Sequence, residues 1–75
     1  MKIQDFVAGD RVRLLDFGQT PKAYKRQLIA YGFNRGVEVE LIRFAPLGCP
    51  VQLNVRGASI AIRLNDAHLL QWERV

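Results

Sequence analysis

Three strand patterns crowd into the roughly twenty residues from Phe44 to Arg63, and that density limits the chain to a small fold of short, sharply turned strands. Val51, Leu53 and Val55 alternate with Gln52, Asn54 and Arg56, while Ile60, Ile62 and Leu64 alternate with Ala61 and Arg63. A period of two sends one side of each strand into a core and the other into water. Arg56-Gly57-Ala58 supplies turn chemistry between the two, so they are expected to be neighbours. Ahead of them runs the loop Ala45-Pro46-Leu47-Gly48-Cys49-Pro50, which holds one apolar side chain, Leu47, at a tip where folding gives it little reason to be.

The rest of the chain repeats the strand signal and adds one helix. Val12 and Leu14 alternate with Arg11 and Arg13, and Val37, Val39 and Leu41 alternate with Glu38 and Glu40, the alternation fading at Ile42 and Phe44. That fading predicts a strand end covered on both faces. Thr20-Pro21 reads as a helix start, with Thr20 at the N-cap and Pro21 at the first helical position. Tyr24, Leu28 and Tyr31 then fall at i, i+4 and i+7 as one apolar stripe, and Gly32 suits the left-handed position that ends such a helix, with Phe33 packing back on it. Ile3, Phe6 and Val7 are expected as an apolar lead-in, Asn34-Arg35-Gly36 as a tight turn, Asn65 as the cap of a short turn through His68, and Leu70 and Trp72 as a closing strand.

Five short strands with one helix inserted after the first predict a mainly β fold, a small SH3-like barrel whose closure hides sheet edges that would otherwise aggregate. An OB-like barrel is the main rival, but it places its helix between the third and fourth strands. At 75 residues the chain is a single domain, 1–75, near the size where one core is only just sufficient. The first residues lack the apolar run of a signal peptide, and no stretch approaches the roughly 20 residues of a membrane helix, so the chain reads as cytoplasmic.

The polar inventory is too thin for catalysis. One Cys and one His make neither an internal disulfide nor a zinc site, and no acid–base pair or phosphate-cradling glycine motif is visible. No cofactor, metal site or enzymatic activity is expected. The net charge of +4 permits a nucleic-acid partner, but the basic residues are scattered, with Lys22, Lys25 and Arg26 the only close cluster, and the aromatics fall at core-facing positions rather than on a stacking surface. Binding to a protein is what remains. Pro46 and Pro50 stiffen the loop and Gly48 permits a sharp turn, so Leu47 would be presented with little entropy left to lose; the competing expectation is that Leu47 folds back as a plug over the barrel end. A helix laid across a small barrel also leaves an edge groove, which makes Leu28 and Tyr31 candidate contacts beside Pro46, Leu47 and Gly48.

The loop Ala45-Pro46-Leu47-Gly48-Cys49-Pro50-Val51, then Val55-Arg56-Gly57, Ala61-Ile62-Arg63 and Asp66-Ala67, resembles the FeoA family of bacterial ferrous iron transport. The segment Arg26-Gln27-Leu28-Ile29-Ala30-Tyr31-Gly32-Phe33 is similar to the family's helix end, so the resemblance covers most of the chain. It departs at Cys49, where the family usually carries Asp, and at Asn34-Arg35-Gly36, where Pro usually precedes the glycine. The resemblance implies an SH3-like barrel that binds and modulates the cytoplasmic, G-protein-containing part of the FeoB transporter, touching the membrane only through that partner. The barrel also looks like the C-terminal regulatory module of iron- or manganese-dependent repressors, and a basic nucleic-acid-binding barrel is a third reading.

Overall fold

The computed structural model describes residues 1–75, except for the surroundings of Gly48. Five strands form one antiparallel sheet: β1 (Arg11–Asp16), β2 (Glu38–Phe44), β3 (Val51–Val55), β4 (Ala58–Ile62) and β5 (Gln71–Arg74), in the order β4-β3-β2-β1-β5. Helix α1 (Lys22–Ala30) follows β1, and the single-turn helix α2 (Leu64–Ala67) lies between β4 and β5. The sheet wraps into an SH3-like barrel around Val12, Leu14, Val39, Leu41, Leu53 and Trp72, all buried, and Ile3, Phe6 and Leu70 close the core. β4 and β5 do not pair with each other, so the expected closure is partial and two sheet edges remain.

Alternation assigned the inward faces correctly wherever the ladder is regular. Val12 pairs with Val39 and Leu14 with Trp72, placing inward side chains opposite one another across β2, β1 and β5. Where alternation fades the cause is a change of register: the β2–β3 pairing slips between Leu41 and Arg43, and the β1–β5 pairing slips between Leu14 and Asp16. A bulge inserts an extra residue and bends the strand. Ile42 is therefore part of a bend, and the expectation of a strand end covered on both faces is corrected, since Arg43 is exposed.

Helix α1 ends as its sequence requires. Phe33 N–H donates to the Leu28 carbonyl (2.9 Å) and Gly32 N–H to the Ile29 carbonyl (3.0 Å), the paired bonds that satisfy carbonyls left open at a helix end. Gly32 has φ +103°, and a Cβ there would press on the Val55 side chain at 3.1 Å, so both backbone and packing call for glycine. The helix start differs from expectation. Pro21 is the N-cap, and the Thr20 hydroxyl donates to the Phe17 carbonyl (2.6 Å) instead of accepting from the helix. The chain turns at Phe17–Thr20 before α1, and a hydroxyl already committed to that turn cannot cap.

Three further elements shift. Leu64 opens α2 rather than ending β4, with Arg63 as its N-cap and no side-chain cap from Asn65. Of the lead-in, Ile3 and Phe6 are buried but Val7 is 66% exposed. The N-terminus itself joins the sheet margin: the Met1 ammonium donates to the Trp72 carbonyl (2.7 Å), and Trp72 N–H donates to the Met1 carbonyl (2.8 Å).

Candidate functional site

The β2–β3 loop is closed at its base by Ala45 N–H donating to the Pro50 carbonyl (2.9 Å). Above that bond a 3-10 turn spans Pro46–Gly48, and inside it Leu47 takes φ +65°, ψ +13°. This left-handed conformation brings Cβ too near the following carbonyl, at a cost of roughly 1–2 kcal/mol for a residue with a side chain. Leu47 is also 103% exposed, so nothing in the fold repays either cost. The expectation of a plug folded over the barrel end is set aside by that exposure. Pro46 is exposed, Pro50 is half-buried, and Cys49 is an exposed free thiol. Gly48 lies outside the described residues.

The helix stripe divides into three environments. Leu28 is 1% exposed and belongs to the core, so as a contact residue it is corrected: its side chain holds α1 on the barrel and cannot reach a partner. Tyr24 packs partly against the core. Burial, then the charge and hydrogen bond of Asp66, raise its phenol above the ordinary tyrosine value. Tyr31, the C-cap residue, is 55% exposed and remains available for contact. A stripe wider than the helix–barrel seam leaves its last member outside.

Tyr31 and Leu47 are not brought together. Gly32, next to Tyr31, sits against Val55 at one end of β3, whereas the Leu47 loop enters β3 at Val51, the other end. Four steps of about 3.3 Å separate those ends by roughly 13 Å. The surface expected from the sequence is thus two patches, a loop tip and a helix end.

Ion pairs among the described residues gather on β1, β2 and β5 and the turn before β1. Arg13 bridges Glu73 (2.9 Å) and Glu38 (3.3 Å), linking β5, β1 and β2, and those hydrogen bonds raise its guanidinium further above its ordinary value. Arg74 meets Asp10 (3.1 Å) and also lies over Phe6, 5.2 Å from the ring centre. Lys25 lies 5.1 Å from the centre of the Phe17 ring, above an open depression lined by Asp16, Gln19 and Arg35. No group of three or more His, Cys, Asp or Glu side chains that could hold a metal occurs among the described residues, and no helix is long and apolar enough to cross a membrane.

Comparison with known proteins agrees with this architecture. A FeoA domain family model matches residues 1–74. The FeoA protein of Chlorobium tepidum superposes with a TM-score of 0.92 at 32% identity, over all of this chain and 70% of that one. Iron(II) transport protein A from Clostridium thermocellum gives 0.87 at 29% identity, over all of this chain and 46% of that one. IdeR of T. acidophilum gives 0.86 at 16% identity, over all of this chain and 34% of that one, a likeness of fold alone. A family match along nearly the whole chain, together with the same barrel in its solved relatives, makes this chain a member of the FeoA family, the small proteins of ferrous iron transport.

Proposed function

We propose that the chain serves ferrous iron uptake by binding the cytoplasmic part of a FeoB-type transporter and modulating it, with the Leu47 loop as the principal contact. One observation carries this reading: Leu47 is held fully exposed in a left-handed conformation on a loop with a closed base. An apolar side chain that costs conformational energy and contributes no burial is retained for something outside the fold. Rigid presentation lowers the ordering cost on binding, and a leucine entering a partner's pocket supplies roughly 1.5–3 kcal/mol. Pro46 and Gly48 belong to the same proposed contact, while Tyr31 offers a second at the far end of β3. Leu28 supports the helix from behind.

The same barrel in IdeR favours a second reading, in which this fold acts as a regulatory module for a metal-responsive protein. A nucleic-acid reading has less support, because Phe6, Phe17, Phe33 and Trp72 are buried and offer no base-stacking platform.

The test is a titration against the purified cytoplasmic part of the transporter, with Leu47→Asp and Tyr31→Asp as folded variants. Affinity should fall at least about tenfold for Leu47→Asp, since a charge replaces the buried apolar contact. Unchanged affinity for that variant overturns the reading, and Tyr31→Asp decides whether the helix end shares the interface.

A further inference from the structure

The two edges of the sheet are treated differently. The outer side of β5 is occupied, because Met1 exchanges both backbone bonds with Trp72, and β5 carries Glu73 and Arg74 beside a bulge. These are the ordinary defences of an edge strand. β4 has none of them. Its sequence, Ala58-Ser59-Ile60-Ala61-Ile62, contains no charge and no proline, and its register with β3 runs unbroken from Val55↔Ala58 to Val51↔Ile62.

Hairpin geometry says which backbone groups are left over. Arg56 (φ +52°) and Gly57 (φ +88°) form a two-residue turn with both central residues left-handed, and in such a turn the flanking pair, Val55 and Ala58, is hydrogen-bonded. Alternation then turns Ala58, Ile60 and Ile62 toward β3, and turns the N–H and carbonyl groups of Ser59 and Ala61 outward. Both residues are exposed, and neither has a backbone bond to a loop or terminus among the described residues. Two donors and two acceptors therefore stand in a row on an uncharged edge.

We propose that this outer edge of β4 is a strand-addition site for an extended acidic peptide segment. Charge decides the occupant. Arg56 and Arg63 stand exposed at the two ends of β4, and neither is in a salt bridge with a carboxylate among the described residues, whereas Arg11, Arg13 and Arg74 all are. Asp66, the acid nearest Arg63 in sequence, makes no salt bridge with it among the described residues. Arg56 also occupies a left-handed position that Asn would fill more comfortably, so its charge is kept against a local backbone preference. A second copy of this chain is the wrong partner. Antiparallel pairing of two β4 strands centred on Ile60 would set Arg56 of one chain beside the Leu64 position of the other and Arg63 beside Gly57, concentrating four arginines at two points. A strand with small or β-branched residues in its middle and Asp or Glu at its ends meets both arginines while taking up the four backbone groups.

The site borders the Leu47 loop at its Ile62 end, where Val51 pairs with Ile62, but it lies along the outer edge of β4 and does not depend on the transporter reading. It is tested with a short labelled Val/Thr-rich peptide bearing Asp and Glu at both ends, compared with the same peptide bearing Lys there, by amide NMR and hydrogen exchange on the intact chain. The acidic peptide should shift and protect the Ser59 and Ala61 amides, and the Lys peptide should not. Ala61→Pro removes an outward donor without touching the β3 ladder and should weaken binding about fivefold or more. Arg56→Asn with Arg63→Gln, which retains a well-suited turn residue, should erase the preference for acid. The proposal is overturned if the acidic peptide perturbs the Lys22–Arg26 face and leaves β4 unchanged, or if neither variant alters affinity. Protection of Ser59 and Ala61 in a peptide-free dimer overturns it as well, by making a second copy the occupant.

Discussion

Replacing Leu47 with Gly separates what the residue does for the fold from what it does for a partner. In the folded chain Leu47 sits at φ +65° with its side chain entirely in solvent. Glycine relieves a left-handed cost of roughly 1–2 kcal/mol and gives back roughly 0.5–1 kcal/mol through the greater freedom of the unfolded chain. No burial is lost, so the net expectation is a gain of about 0.5–1 kcal/mol. In a domain of this size that corresponds to a rise in Tm of roughly 2–8 °C. Urea unfolding, followed by far-UV circular dichroism, should show a higher midpoint at unchanged slope. Transporter affinity should move the other way and fall at least about tenfold, because the apolar anchor is gone. A lower unfolding midpoint would mean instead that Leu47 packs on the barrel and contributes burial of about 1.5–3 kcal/mol. A more stable variant with intact affinity would leave the geometry standing and remove the contact.

Gly18→Ala should destabilise strongly, by more than about 2 kcal/mol in chemical denaturation, because a Cβ there would run into the Leu69 backbone carbonyl and φ is +55°. Tyr24 has its folded-state pKa raised by burial and by Asp66, so its contribution is fully present below the unfolded tyrosine value of about 10 and is lost as pH rises through the folded value. Stability should therefore fall over that alkaline window, and Tyr24→Phe should flatten the slope in unfolding curves collected across it. Trp72 is buried and its indole N–H finds no acceptor among the described residues. Trp72→Phe removes a stranded donor worth roughly 1–3 kcal/mol of desolvation while losing packing of similar size. Its measured cost should be under about 1.5 kcal/mol, against the roughly 2–5 kcal/mol expected for Leu53→Ala.

Sequence periodicity was a reliable guide where one local rule governs the outcome. Val12, Leu14, Val39, Leu41, Leu53 and Ile62 all lie on the buried side that alternation assigns them, because side-chain direction follows from extended backbone geometry. Gly32 closes α1 as read, since a left-handed helix terminus admits little else. Legibility ends where two segments must meet. Leu28 and Tyr31 share one helical stripe, yet only the barrel's contact line decides that the first is core and the second is surface. Thr20 has the chemistry of a cap, but the turn from Phe17 claims its hydroxyl first. Ile42 breaks the alternation for a reason, a bulge against β3, that needs both strands to be visible.

The candidate sites divide in the same way. Pro46, Gly48 and Pro50 around one leucine, and a positively charged residue before Gly57, are plain in the chain by itself. They determine stiff turns, short strands and membership of the family. Tertiary structure alone decided that Leu47 stands clear of the barrel, that Met1 covers β5, and that β4 is an outer strand flanked by two exposed arginines. Turn chemistry and strand period are properties of a few adjacent residues, whereas exposure and edge occupancy depend on which distant segments arrive alongside.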